Sequence, residues 1–396
     1  LTNIDDEVAG VRLTPQSGLS TTEMGGSDTL TVNLTAKPAA NVNISITTDD
    51  ESEGTVFPSS MTFTSSGWDT SQQVIVTGVD DDLADGDIVY NIVVESSSAD
   101  LAFNALSDVQ SSVTNINDDP PGISIDPVGG LETTETGGTA TFKVVLLSGP
   151  SDDVSFNLST SNPDEGEISD STLIFTITNW STEQTVTVSG IDDKIDDGEV
   201  NYTVVSGKSI SSDPNYNDLT VADVELTNID DDSTGFDLSA ISDSITTEAG
   251  GSATFTVSLL SQPIVGVVVS ITSSDTTEGV VVPESIVFTD KNWNTVHTAT
   301  VTGFDDDIDD GDIDYTIKIS SSSNDPTYSV LKDTSISFTN SDDDLAGLTI
   351  SGKSGLVTTE AGGDTSITVM LNSEPISDVL IVLTSSDSSE GLPDSD

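Results

Sequence analysis

One short signature, TTE-x-GG, returns at 21–26, 133–138, 246–251 and 358–363, with offsets of 112, 113 and 112 residues. Trp68, Trp180 and Trp293 keep that spacing, as do Tyr90, Tyr202 and Tyr315. So do three acidic stretches, GVDDD from 78, GIDDK from 190 and GFDDD from 303. A closing motif recurs as well: TNIDD at 2–6, TNINDD at 114–119, TNIDDD at 227–232 and TNSDDD at 339–344. A pattern repeated this regularly restricts the chain to a string of similar modules. It reads as the tail of a preceding repeat (1–8), three complete repeats (9–120, 121–232 and 233–345) and the N-terminal half of another (346–396). The last piece stops at EGLPDSD, about halfway through a unit, so the expectation is a segment of a longer array.

Inside a repeat the hydrophobic period is two rather than 3.6. GISIDPV (122–128), TATFKVVLLS (139–148), DVSFNLSTS (153–161), STLIFTI (171–177), EQTVTVSGI (183–191), VNYTVVSGK (200–208) and VADVELTNI (221–229) alternate or run apolar. They are rich in Val, Ile, Thr and Phe, and Gly, Asn, Asp, Ser and Pro separate them. The expected fold is all-β: a tandem array of seven-stranded immunoglobulin-like antiparallel β-sandwiches. The tryptophan after each fourth strand reads as a packing residue.

Charge decides where to look for function. The chain carries 69 acidic against 9 basic residues, a formal net of -60. Such a surface repels nucleic acid and anionic membranes and calls for cations. There are no cysteines, and the longest apolar runs, such as VGVVVSI at 265–271, are far short of a membrane span. The acids gather in the same loops of every repeat, whereas a surface adapted to salt would spread them over strand faces too. In repeat three they are Glu248, Glu278, Asp305–Asp307, Asp309, Asp310 and Asp342–Asp344. They follow the first, third, fifth and last expected strands. In an antiparallel sandwich those exits share one end, so the carboxylates converge. Six to eight oxygen ligands of this kind suit a cation of calcium size. The EF-hand spacing is absent, and no helical pattern flanks the acids.

These motifs resemble the Calx-beta domains of sodium–calcium exchangers and of many large extracellular proteins. The resemblance rests on the Glu of TTE-x-GG, an acid ten residues before a strand Phe, the DDD-x-x-D-G-D-x-x-Y stretch and the closing acids, and it covers nearly the whole chain. It implies a small Ca2+ cluster at the end of each sandwich that faces the next domain. Carried over by position, the ligands in repeat one are Glu23, Glu53, Asp80, Asp81, Asp85, Asp118 and Asp119. In repeat two they are Glu135, Glu165, Asp192, Asp193, Asp197, Asp230, Asp231 and Asp232. In repeat three they are Glu248, Glu278, Asp305, Asp306, Asp310, Asp342, Asp343 and Asp344, while the partial copy keeps Glu360 and Glu390. Asn117 departs from the pattern where later repeats have Asp230 and Asp342, which implies fewer or weaker ions at the first junction. Lys194 replaces the third Asp of GVDDD, at a position that is not an expected ligand, and the loop before Glu278 lacks the family's glycine-rich pattern.

Catalysis is not expected. The single histidine, His297, aligns with Gln72 and Gln184 and reads as an exposed strand residue. Five Asn-x-Ser/Thr sequons, at Asn33, Asn43, Asn157, Asn179 and Asn201, are what chance yields in so Ser/Thr-rich a chain. The junctions TNINDDPPGI, TNIDDDSTGF and TNSDDDLAGL lack a flexible Gly/Ser tract, and Pro120–Pro121 stiffens the first. The expected function is therefore a calcium-stiffened rod or spacer in a large cell-surface or secreted adhesin-like protein. Its expected partners are calcium ions and neighbouring repeats, with no nucleic acid and no membrane insertion in this segment. The alternatives are a subunit of an extracellular filament or coat that binds other copies, a module that binds a surface receptor or glycan, and a calcium sensor.

Overall fold

The computed structural model describes residues 7–394, so the TNIDD motif at 2–6, most of the expected 1–8 tail and the last two residues lie outside the described residues. The chain divides into two compact units: Leu1–Asp192 with Glu199–Ile229, and Asp193–Gly198 with Asp230–Asp396.

In the first unit, repeat one folds as β1 (Val11–Thr14), β2 (Leu19–Thr22), β3 (Ser27–Leu34), β4 (Val42–Thr48), β5 (Gly54–Phe57), β6 (Ser60–Phe63), β7 (Gln72–Gly78), β8 (Ile88–Ser98) and β9 (Val109–Ile116). One short helix, α1 (Leu101–Asn104), follows β8. The strands form two sheets, ordered β1-β3-β7-β5 and β2-β9-β8-β4-β6. All pairs are antiparallel except β2 with β9. Alternation sets the faces: along β3, Leu30, Val32 and Leu34 point inward and are buried. They meet Ile44, Ile46, Phe63, Val74, Val76 and Ile92 in one core. Each such side chain contributes about 1.5–3 kcal/mol when buried. Repeat two repeats both sheet orders within the same unit, with its own core around Phe142, Phe156 and Phe175.

In the second unit, repeat three forms one sheet from Phe236–Leu238, Ser252–Leu259, His297–Gly303 and Gly279–Val282. Its other sheet holds Ile245–Thr247, Thr334–Ser341, Ile313–Ser323, Val267–Ser273 and Ser285–Phe288, and its core centres on Phe255, Phe288 and Phe338. Beyond it, Leu348–Ser351 pairs with Thr368–Leu371.

All seven expected runs are strands, and the sandwich is immunoglobulin-like. Two further short strands appear in each repeat, and repeat two adds a third, Ile210–Ser211, beside Val154–Thr160. The residues before the TTE glutamate form a parallel edge strand, and the residues after Glu53, Glu165 and Glu278 form a second edge strand. Both are three or four residues long, too short to show a period of two in the sequence. Trp68, Trp180 and Trp293 pack half-buried against their three cores. His297 departs from its expected exposure: its ring stands edge-on to Phe288, with centroids 5.3 Å apart, and the residue is half-buried.

The loop after β7 reaches beyond its own sandwich. Asp82 O accepts from Gly149 N at 2.6 Å, Ala84 N donates to Gly149 O at 3.1 Å, and Asn215 Nδ2 donates to Ala84 O at 2.7 Å. Ala84 is buried in the core of repeat two. The second unit contains the same backbone contact twice, Gln262 N to Lys194 O and Glu374 N to Asp307 O, each at 2.5 Å. Because only main-chain atoms take part, the receiving position tolerates Gly149, Gln262 and Glu374 alike.

Candidate metal centre

The TTE-x-GG signature follows from local geometry. Glu23 N continues the parallel ladder by donating to Ile116 O at 3.2 Å. The chain then turns sharply, with Thr22 O accepting from Gly25 N and Gly26 N. Gly25 lies at φ +79°, the left-handed region that favours glycine, and a Cβ on Gly26 would come within 2.4 Å of Thr22 Oγ1. That turn holds the Glu23 side chain inside the sandwich end, 1% exposed.

The other acidic segments of repeat one arrive at the same end. Glu53 is buried, and its Oε2 accepts from Asn115 Nδ2 at 3.3 Å. Asp81 Oδ1 accepts from Leu83 N at 2.7 Å, which shapes the loop after β7. Asp118 N donates to Glu23 Oε2 at 3.1 Å, and Asp119 N donates to Asn117 Oδ1 at 2.8 Å. Two trios result, Glu23–Asp118–Asp119 and Glu53–Asp81–Asp85, each with carboxylate oxygens within 4.8 Å of one another. They adjoin electrostatically. Burial, together with the charges of Asp81, Asp85 and Glu53, pushes the Glu23 carboxyl up to about 7 against one opposing hydrogen bond from Asp118 N. Burial also raises Glu53, Asp85 and Asp119, and the charges of Asp82, Asp80 and Asp81 help to raise Asp119. Asp80 thus acts on the site without joining either trio.

Repeat three shows the same logic. Glu248, Asp342 and Asp344 form a trio, and Asp343 N donates to Glu248 Oε2 at 3.3 Å. Burial and the charges of Asp342, Asp306 and Asp310 push Glu248 up to about 7. Glu278 is buried and raised too, first by burial and then by Asp310, Asp275 and Asp306, although these acids do not close into a second trio. Asp305 lies near enough to help raise Asp344. Asp342 behaves differently. Its carboxylate accepts from Asp344 N at 2.8 Å and Gly311 N at 2.7 Å, and these bonds hold it below the usual range.

Repeat two divides between the units. In the first, Glu135 and Glu165 are buried, Glu165 Oε2 accepts from Asn228 Nδ2 at 3.1 Å, and Asp192 is exposed. In the second, Asp193 Oδ1 accepts from Ile195 N, Asp230 accepts from Gly198 N and Asp232 N, Asp197 N donates to Ile195 O, and Asp231 is exposed. Asp230 and Asp342 each fix the following turn and the glycine of the loop after the paired aspartates, Gly198 and Gly311. Asn117 keeps the turn but contributes no charge. Glu360 and Glu390 of the partial copy are exposed and join no cluster among the described residues.

The sequence reading omitted three residues that hold this site. Asn115, Asn228 and Asn340 are buried under the carboxylates, each receiving a hydrogen bond from a buried Thr of TTE at 2.9–3.1 Å. Tyr90, Tyr202 and Tyr315 reach those threonine hydroxyls at 3.4, 3.0 and 3.0 Å. The signal was present, because TN precedes every closing acid run and the tyrosines share the period.

The donors are all oxygens, mostly carboxylates on loops. That set fits a hard divalent cation and lacks the imidazole and thiolate that zinc or copper sites use. The electrostatics also have a sign that can be measured. Glu23 and Glu248 keep a proton up to about 7 when folded, against an ordinary value of 4.5. Folding therefore takes up protons between those values, and stability falls as pH rises through them. In chelator, melting is expected at a higher temperature at pH 5.5 than at pH 8; the opposite order contradicts this electrostatic account.

Solved structures with which the chain aligns include the CBD12 crystal structure from CALX1.2, at 13% identity, with a TM-score of 0.26, over 55% of this chain and 98% of that one. The calcium binding domain CBD12 of CALX1.1 aligns at 17% identity with a TM-score of 0.25, over 50% of this chain and 80% of that one. The apo-form Calx CBD1 domain aligns at 18% identity with a TM-score of 0.23, over 28% of this chain and 96% of that one. No family model matches the sequence, and no curated protein matches it.

Proposed function

We propose that the repeats bind calcium at the sandwich end that carries their buried TTE glutamate, and that the array serves as a cation-stiffened spacer in an extracellular or cell-surface protein. The observation that carries this reading is the pairing of two facts in one loop. Asp81 and Asp85 stand in a carboxylate trio with buried Glu53, while Asp82 and Ala84 of the same loop hydrogen-bond the next repeat. A cation that neutralises the trio removes its repulsion and fixes the loop on which the neighbour rests. Calcium suits the site better than magnesium, because it accepts six to eight oxygens in irregular geometry. At extracellular, roughly millimolar concentrations even modest sites fill. The longest strands, Ile88–Ser98 and Ile313–Ser323, have 11 residues and span about 35 Å, and end loops extend each repeat to about 40 Å. Repeats of nearly constant length, 112 or 113 residues, without insertions suit a spacer that carries another module away from a surface.

Small-angle scattering of the full chain tests this reading. Calcium is expected to lengthen the maximum dimension and narrow the distance distribution relative to chelator, and magnesium is expected to do neither. Identical profiles in all three conditions refute the stiffening.

A further inference from the structure

The buried asparagine that precedes each closing acid run touches the root of every acidic segment. Asn115 Nδ2 donates to Glu53 Oε2 at 3.3 Å and to Val79 O, just before Asp80, at 3.1 Å. Its Oδ1 accepts from Thr21 Oγ1, two residues before Glu23, at 2.9 Å. Asn115 itself lies three residues before Asp118. One fully buried amide thus fastens four chain segments.

The arrangement recurs with different neighbours. Asn228 donates to Glu165 Oε2 at 3.1 Å and Ile191 O at 3.2 Å, and accepts from Thr133. Asn340 donates to Glu278 Oε2 at 3.4 Å and Phe304 O at 3.0 Å, and accepts from Thr246. The threonine spends its single hydroxyl proton on the amide oxygen, so the tyrosine hydroxyl beside it must be a donor. A directed chain follows: Tyr to Thr, Thr to Asn, Asn to Glu. Rotating the amide by half a turn would aim its oxygen at a carboxylate and a carbonyl, so those two acceptors fix the amide's orientation and the threonine proton satisfies its oxygen. Core packing alone does not call for a polar residue here, since a buried amide is costly unless its partners are all present.

We infer that Asn115, Asn228 and Asn340 are positioning residues for the cation, held in their working orientation by a carbonyl and a carboxylate on one side and the Thr–Tyr pair on the other. This rests on the calcium reading above. The amide hydrogen bond aims one carboxylate oxygen of Glu53, Glu165 or Glu278, and the second N–H sets where the loop of paired aspartates begins. Partners of this kind behind a ligand typically change metal affinity by about 10–100-fold.

The test uses the full chain with calcium alone as titrant, followed by calorimetry. Thr21→Val, Thr133→Val and Thr246→Val together keep side-chain volume and remove the donor to the buried amide oxygen. The expected result is calcium binding weakened by about tenfold or more, a smaller calcium-induced rise in melting temperature, and rescue by Ser at the same three positions. Should the valine variant fail to fold, Tyr90→Phe, Tyr202→Phe and Tyr315→Phe remove only the terminal hydroxyls and are expected to weaken binding in the same direction. A merely structural role lowers melting in chelator and leaves affinity untouched. Wild-type affinity in the variants overturns this inference and leaves the calcium reading standing, whereas no binding by the wild-type chain overturns both.

Discussion

Gly303→Ala is expected to destabilise repeat three by about 3 kcal/mol or more, through overpacking and a broken buried hydrogen-bond network. A Cβ at this position would stand 2.3 Å from Thr247 O and 2.4 Å from Asn340 Oδ1. The first atom is main chain and the second is the amide that fastens the acidic segments, so neither can retreat without breaking a buried contact. Gly78 and Gly190 meet the matching atoms at 2.3 Å from Thr22 O and Thr134 O, and at 2.5 and 2.6 Å from Asn115 and Asn228. For a repeat of this size the loss corresponds to a melting temperature lower by roughly 12–20 °C. Gly67→Ala is the control, because its Cβ would meet only Thr64 Oγ1, at 3.4 Å. Equal melting of the two variants would refute the packing argument.

Asp325→Ala is expected to cost about 3 kcal/mol at neutral pH. This carboxylate is buried, 3% exposed, and belongs to no metal cluster. It accepts from Ile264 N at 2.8 Å, Thr327 N at 3.0 Å, Thr327 Oγ1 at 2.8 Å and Tyr328 N at 3.3 Å. Removing it leaves main-chain donors unsatisfied and frees the turn that begins at Ser261. Burial alone would raise this carboxyl, but the hydrogen bonds from Thr327, Tyr328 and Ile264 together hold it below its usual value. A carboxylate lowered in this way stabilises the fold above its unfolded value of 3.8, and that stability disappears as pH falls through the folded value. The difference in melting between variant and wild type is therefore expected to be large at pH 7 and small at pH 2. A difference independent of pH would show that the charge does not matter. Asp213 and Asp100 hold the corresponding turns through Ser151 N and Ala39 N, each at 2.8 Å.

These two sites show what the sequence could and could not reveal. The repeat length, the strands and the acidic loops were legible because each is written several times along the chain. Convergence of the acids was legible too, from strand parity alone. The short edge strands were not, because three residues such as ITT at 245–247 carry no period. Asp325 looks like any other acid in an acidic chain, and only its burial and its four donors separate it from a ligand. Asn340 was visible as part of a recurring motif, but its contacts with Thr246, Glu278 and Phe304 span up to 94 positions and exist only in the folded sandwich. Surplus charge misleads in the same way. Asp342 and Asp230 spend their carboxylates on backbone N–H groups, so their place in the acid run does not by itself make them ligands.

The central claim is that the clustered carboxylates exist to hold calcium. Differential scanning calorimetry of the full chain addresses it most directly, with calcium, with magnesium, and with sodium chloride at matched ionic strength. Calcium is expected to raise the melting temperature saturably at low millimolar concentration, while magnesium and sodium produce only the shallow rise of screened repulsion. If all three salts give one curve set by ionic strength, the acids are a solvated surface and the account is wrong.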